Sequence, residues 1–209
     1  MEFKSVAEKR TSIRNFTDEK VKLDDLKEMI RIAGTAPCIS GEETWKFIAV
    51  TNKDVMKQMA LAVKQKYSEI IPENNDQVSE NVKVAVEKFS SVFLNAPVVV
   101  AVTMSPYEAV IDKILSQTAY SHEELNKLRN YPDIQTVGAA IQNILLSAVD
   151  LGYGACWLTG PVVAKEELSK ILKIESPNSL MAFVAIGRPD KESKPRLKSP
   201  LENIFSIIE

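Results

Sequence analysis

The chain is poor in the residues that build catalytic and metal centres. Among 209 residues there is one histidine, His122, and there are two cysteines, Cys38 and Cys156. Two cysteines make neither a disulfide framework nor a zinc quartet, and a single histidine leaves no basis for a His-based metal site. A surplus of charge of one sign is also lacking: 26 Lys+Arg against 28 Asp+Glu give a net charge of -2. That balance excludes a general nucleic-acid binder, which needs a basic excess to meet phosphates. Long apolar runs are missing as well. The longest, Ala96 to Met104, is the length of a strand and falls well short of the roughly 18 residues of a membrane span. The opening residues MEFKSVAEKR hold no apolar signal segment. Ser/His/Asp sets, G-x-S-x-G and the P-loop are absent, and Gly152-Tyr153-Gly154 lacks the third glycine of a dinucleotide fingerprint and follows a helical pattern. The expectation is one cytoplasmic domain over residues 1–209 that borrows any chemistry from an organic cofactor.

What is present is a clear alternation of helix and strand patterns. Ser5 to Glu8 reads as a capping box with Ser5 at the N-cap. Leu23, Leu26, Met29, Ile30 and Ala33 recur at helical spacing, and Gly34 and Pro37 end that helix. Lys46 to Thr51 is a short strand, after which Asn52 caps a helix carrying Val55, Met59, Ala62 and Val63 on one face. Val78, Val82, Ala85, Phe89 and Val92 predict another helix. Pro97 to Val102 is β-branched without polar alternation, the pattern of a strand buried on both faces. Residues 105–132 are irregular, with a weak helix near Ala109 to Leu115 and a second capping box at Ser121 to Glu124. The longest helix runs from Ile134 to Leu151 and is apolar around more than one stripe, which places it centrally or at an interface. Ala155 to Leu158, Lys165 to Ile174 and Leu180 to Ile186 then predict strand, helix, strand. The layout is α+β, a small sheet between helices.

Two basic clusters stand out. Arg10, Ser12 and Arg14 alternate, so on an extended segment they face one way and offer guanidinium forks and a hydroxyl suited to a phosphate. Arg188, Lys191, Lys194, Arg196 and Lys198 form the second, interrupted by Asp190 and Glu192. Taken alone, each cluster also reads as a solvated surface. Cys38 reads as a small packed residue or a thiol near a cofactor, and Cys156 as core. His122 reads as exposed, and Trp45 and Trp157 as structural, with a pocket-lining role open for Trp157.

Lys9-Arg10-Thr11-Ser12-Ile13-Arg14-Asn15-Phe16 resembles the R-R-S-x-R-x-F opening of the nitroreductase family of FMN-dependent oxidoreductases. Ala36-Pro37-Cys38 through Trp45-Lys46-Phe47 stands where that family carries A-P-S-S-x-N-x-Q-P-W-x-F. Gly138 to Ala148 is similar to its long dimer helix, Leu151 to Gly160 to its L-G-x-G-x-x-W strand, and Gly187-Arg188-Pro189 with Lys194-Pro195-Arg196 to its closing motif. Five blocks in order cover nearly the whole chain.

The resemblance implies a nitroreductase-like three-layer fold, with a small, mainly antiparallel central sheet flanked by helices, in an intertwined homodimer. It implies non-covalent FMN at the interface, NADH or NADPH as co-substrate, and a small acceptor such as a nitroaromatic or quinone. Arg10, Thr11, Ser12 and Arg14 would hold the ribityl phosphate and pyrimidine edge, with Lys194 and Arg196 adding charge at the phosphate. The Thr159 N–H would face flavin N5 beside Leu158 and Gly160. Pro37, Cys38, Ile39 and Gly41 would come from the other protomer. The tail from 187 would also make dimer contacts, and 105–132 would form a lid. No side chain is assigned as catalytic. In the second block Cys38-Ile39, Gly41, Glu43 and Thr44 replace Ser-Ser, Asn, Gln and Pro. A flavin-binding protein without efficient turnover, or a flavin-free interaction protein, therefore stand as alternatives.

Overall fold

The computed structural model describes residues 2–39, 41–71, 81, 84, 86, 88, 90–107, 110, 114, 120–191 and 198–209. Helix α1 spans Phe3–Lys9 and α2 Leu23–Ala33. Strand β1 is Trp45–Val50, followed by α3, Lys53–Ile70. A 3-10 turn, Val92–Asn95, leads into β2, Val98–Met104. Helices α4, His122–Leu128, and α5, Pro132–Asp150, precede β3, Gly154–Leu158. A second 3-10 turn, Gly160–Ala164, runs directly into α6, Lys165–Leu172, and β4 is Ser179–Gly187.

The sheet is antiparallel throughout, in the order β1-β2-β4-β3. Its two faces divide the core. Val98, Val100 and Val102 of β2, with Val184 and Ile186 of β4, pack on Leu26 and Met29 of α2 and Ile141, Ile144 and Ala148 of α5. Val99 and Ala101, with Phe183 and Ala185, pack on Met56, Met59 and Val63 of α3 and Leu168 of α6. Alternation along a strand thus feeds two helical layers, giving three layers in all. The lack of polar alternation in β2 has this cause: all but its last residue are buried.

The expected caps are met at two of three helices. The Asn52 side chain accepts from the Asp54 and Val55 N–H groups. Ser121 and Glu124 form a reciprocal capping box. At α1 the expectation fails: the helix begins at Phe3, Glu2 is the N-cap, and no side chain caps it. Ser5 lies inside the helix, one residue before the buried Val6. The helix expected on Val78 to Val92 falls largely outside the described residues, although those described at 81, 84, 86, 88 and 90 are helical. The weak helix near 109–115 also falls largely outside them, as do Lys194 and Arg196.

A buried polar chain ties α4 to α5. Tyr107 donates to Asn126 Oδ1 at 2.8 Å, Asn126 Nδ2 donates to Asp133 Oδ2 at 2.9 Å, and Arg129 Nη2 donates to the Tyr107 hydroxyl at 3.1 Å. Asn130 and Tyr131, both with positive φ, turn the chain between the helices. Asn126→Ala removes two buried hydrogen bonds, from the Tyr107 hydroxyl and to Asp133 Oδ2, at about 0.5–1.5 kcal/mol each. The expected outcome is a drop of several degrees in the thermal unfolding midpoint, read by circular dichroism.

Candidate flavin site

Beyond α1 the chain becomes extended at Arg10. Ser12 forms a parallel bridge to Ala155, and the Ile13 N–H donates to the Ala155 carbonyl at 3.0 Å. The segment therefore extends the sheet beside its edge strand β3. Ile13 is buried while Ser12 and Arg14 are exposed and Arg10 is half-buried, the alternation an extended segment imposes. Gly154 makes the close approach possible: a Cβ there would lie 2.6 Å from Ile13 Cγ1. The next residues join the start of the tail, since Phe16 bridges Pro189, Thr17 N–H donates to the Arg188 carbonyl and Asp190 N–H to the Asn15 carbonyl.

Strand β3 delivers Leu158, Thr159 and Gly160 at its far end. Leu158 is buried and Thr159 and Gly160 are exposed. The Thr159 carbonyl accepts from the Val162 N–H at 3.0 Å, and the Gly160 carbonyl from the Tyr67 hydroxyl at 2.9 Å. As the first residue of the 3-10 turn, Gly160 has an N–H without an intrahelical acceptor, and Pro161 has none to offer. Cys156 lies on the core side of β3, 1% exposed. Burial pushes its thiol up, against the Arg14 charge, a hydrogen bond with Ser12 and the Arg10 charge. The thiol is a core group, as expected.

Pro37, Cys38 and Ile39 lie elsewhere. Cys38 is half-buried against Ala36, Trp45 and Ala140. The Glu42 N–H donates to the Ile39 carbonyl at 2.8 Å, closing a turn in which Gly41 has φ +78°. Glycine adopts that left-handed backbone without the steric cost of a Cβ. Glu43 is exposed and Thr44 buried with its Oγ1 unpartnered. This loop leads into β1, whereas Arg10–Arg14 and Leu158–Gly160 border β3 at the opposite sheet edge. Three interstrand spacings, about 14 Å, separate those edges. Within one chain, then, two of the three residue groups border the same edge strand, Arg10–Arg14 through the bridge at Ala155 and Leu158–Gly160 at the strand's end.

Arg188 does not behave as a solvated tail residue. Its Nη1 donates to the Gly152 carbonyl at 2.7 Å, its guanidinium lies 4.2 Å from the Tyr153 ring centroid, and Nε faces Glu19 at 3.4 Å. It locks the α5–β3 turn to the end of β4. Tyr67 escaped the sequence reading because nothing in a local helical pattern signals a partner 93 residues away. His122 is exposed, as expected, with its ring 5.2 Å from that of Tyr107. Trp157 is 40% exposed beside Gly138 of α5.

The groups bordering β3 include two guanidinium groups, the Ser12 hydroxyl and the Gly160 N–H, which has no intrahelical acceptor. Comparison with known proteins bears on the chain as a whole. The chain is 32% identical, with a TM-score of 0.90 and full coverage of both chains, to a BluB-like flavoprotein from Clostridium difficile. It is 26% identical, over 88% of its own length and 83% of the relative's, to a putative NADH dehydrogenase/NAD(P)H nitroreductase from Archaeoglobus fulgidus. A nitroreductase with bound FMN from Desulfitobacterium hafniense shares its fold, at 21% identity and a TM-score of 0.73 over 100% of this chain and 99% of that one. The model of the Nitroreductase family matches residues 7–188. From its opening basic segment to the end of its sheet, this chain belongs to the Nitroreductase family.

Proposed function

We propose that the protein is an FMN-dependent oxidoreductase that takes hydride from NADH or NADPH and passes it to a small acceptor such as a nitroaromatic or a quinone. The observation that carries this reading is that the basic Arg10–Arg14 segment lies along β3 through the Ser12–Ala155 bridge, while Leu158, Thr159 and Gly160 stand at the end of the same strand. FMN, when bound, supplies hydride acceptance and donation at N5. The chain's own part is binding and orientation. Arg10 and Arg14 would neutralise the ribityl phosphate, helped by Ser12 and Thr11, with Lys194 and Arg196 as further phosphate ligands. Leu158 would lie beside the flavin ring. Thr159 and Gly160 would present backbone N–H groups to it. No side chain is needed as a general acid or base.

The reading includes a homodimer in which Pro37, Cys38, Ile39 and Gly41 of a second copy complete the site. Two features support it. The loop and the β3 edge lie on opposite sides of one sheet, and Leu201, Ile204, Phe205, Ile207 and Ile208 are 59–96% exposed on a tail that nothing in the described chain covers. Light scattering during size-exclusion chromatography is expected to give twice the chain mass.

A second reading is a flavin-binding dimer without efficient turnover, favoured by the loss of the Asn and Gln side chains at Gly41 and Glu43. Steady-state NAD(P)H oxidation with a panel of nitroaromatic and quinone acceptors separates the two. Acceptor-dependent oxidation supports the enzyme; flavin that NAD(P)H does not reduce, with no oxidation above background for any acceptor, favours the binding protein.

A further inference from the structure

We propose that Tyr67 and Ser90 are positioning residues for the Thr159–Gly160 turn, setting the direction of the Gly160 N–H that the turn offers to a flavin. The inference rests on the flavin reading above and assigns a function to two residues that stand outside the family motifs.

The turn is held from behind at both of its carbonyls. Thr159 accepts from Val162 within the turn itself, at 3.0 Å. Gly160 accepts from Tyr67, in the last turn of α3, at 2.9 Å. A peptide group is planar with its N–H and C=O on opposite sides. Holding the Thr159 carbonyl therefore aims the Gly160 N–H away from the turn. Holding the Gly160 carbonyl stops the next peptide from rotating and carrying Gly160 with it. Pro161 contributes no donor of its own, and its ring restricts the following backbone. The Tyr67 hydroxyl is thus the contact from outside the turn that fixes its plane.

Ser90 sets the turn's depth. It is 3% exposed, and its Oγ lies 3.0 Å from where a Cβ on Gly160 would stand. Tyr67 Oη lies 3.6 Å from the same point. Gly160 is consequently seated against a wall of two hydroxyl groups, one from α3 and one from the segment entering the Val92–Asn95 turn. The wall is itself anchored. Lys66, the neighbour of Tyr67, bridges to Glu167 of α6 at 3.4 Å, and Val63, Ala164 and Leu168 share one core cluster. Helix α3 therefore grips both the turn and the helix that follows it.

An N–H aimed at N5 favours oxidised flavin, in which N5 accepts, over reduced flavin, in which N5 carries a hydrogen. Loosening the turn should therefore weaken the oxidised form more than the reduced form. The test is the two-electron midpoint potential of the FMN-loaded protein, by equilibration with a reference dye, for wild type, Tyr67→Phe and Gly160→Ala. Tyr67→Phe keeps the ring and its packing. It is expected to bind FMN and to lose three- to tenfold in affinity for oxidised relative to reduced FMN. That loss reads as a positive shift of up to about 30 mV at 29.6 mV per decade. Gly160→Ala is expected to shift the potential in the same direction, and adding Ser90→Ala to it is expected to restore part of the shift. A merely structural role would lower the thermal midpoint without this pattern. Wild-type potentials in both Tyr67→Phe and Gly160→Ala, with FMN bound, overturn the inference alone. Failure of the wild type to bind FMN overturns the flavin reading, and this inference with it.

Discussion

Replacing Arg10 and Arg14 together with alanine is expected to abolish retention of FMN while leaving the fold intact. Arg14 is exposed and Arg10 half-buried at the end of α1, so neither is part of the core and the thermal midpoint should stay near that of the wild type. Charge-assisted hydrogen bonds contribute about 1.5–3 kcal/mol each. Losing two should raise the Kd for FMN by roughly two to four orders of magnitude, at 1.4 kcal/mol per decade. The choice of ligand makes the result specific. Riboflavin has the same ring and ribityl chain without the phosphate, so its affinity should change little between wild type and variant. Fluorescence titration with both ligands reads this directly. Equal losses for FMN and riboflavin would mean that the arginines serve the ring or the fold rather than the phosphate. Wild-type FMN binding in the double variant would remove the segment from the site.

Gly154→Ala is expected to lower both stability and FMN affinity. The added Cβ would stand 2.6, 2.8 and 3.0 Å from Ile13 Cγ1, Cβ and Cγ2, closer than real carbon atoms approach. A β-branched side chain has little rotamer freedom with which to escape. Behind it, the Ile13 N–H is bonded to the Ala155 carbonyl at 3.0 Å. Relief therefore requires either moving the Arg10–Arg14 segment off β3 or breaking that bond. Overpacking of this kind costs about 1–3 kcal/mol, enough for a fall of several degrees in the unfolding midpoint. Because Ile13 lies between Ser12 and Arg14, FMN affinity should fall along with stability. Ile13→Ala in the Gly154→Ala background should recover most of both, whereas Ile13→Ala alone should destabilise by opening a cavity. A double variant no better than Gly154→Ala would show that the damage arises elsewhere on β3.

Nearly all of the helix and strand layout was legible in the sequence because it rests on periodicity. Val98 to Val102 could be read as doubly buried since nothing polar interrupts it, and the structure covers both faces with helices. The caps at Asn52 and Ser121 were legible for the same local reason. Ser5 misled because its capping pattern is local, while α1 starts two residues earlier, at Phe3. In the candidate site, alternation revealed that Arg10, Ser12 and Arg14 share a side of an extended segment. It could not reveal that β3 would be the partner: a parallel bridge between residues 12 and 155 leaves no mark in either stretch. Arg188 shows the same limit. As sequence it was one basic residue among five; in the structure it is spent on the Gly152 carbonyl, the Tyr153 ring and Glu19.

The central claim is that the sheet edge at β3 holds a flavin that exchanges electrons with a nicotinamide. Its most direct test is the visible absorbance spectrum of the purified protein, taken after incubation with FMN and removal of the excess, and again after anaerobic addition of NADH or NADPH. The account predicts a bound oxidised-flavin band, one per chain, that bleaches on addition of one of the two nucleotides. A protein that retains no flavin after reconstitution, or one whose flavin band neither nucleotide bleaches, would contradict it.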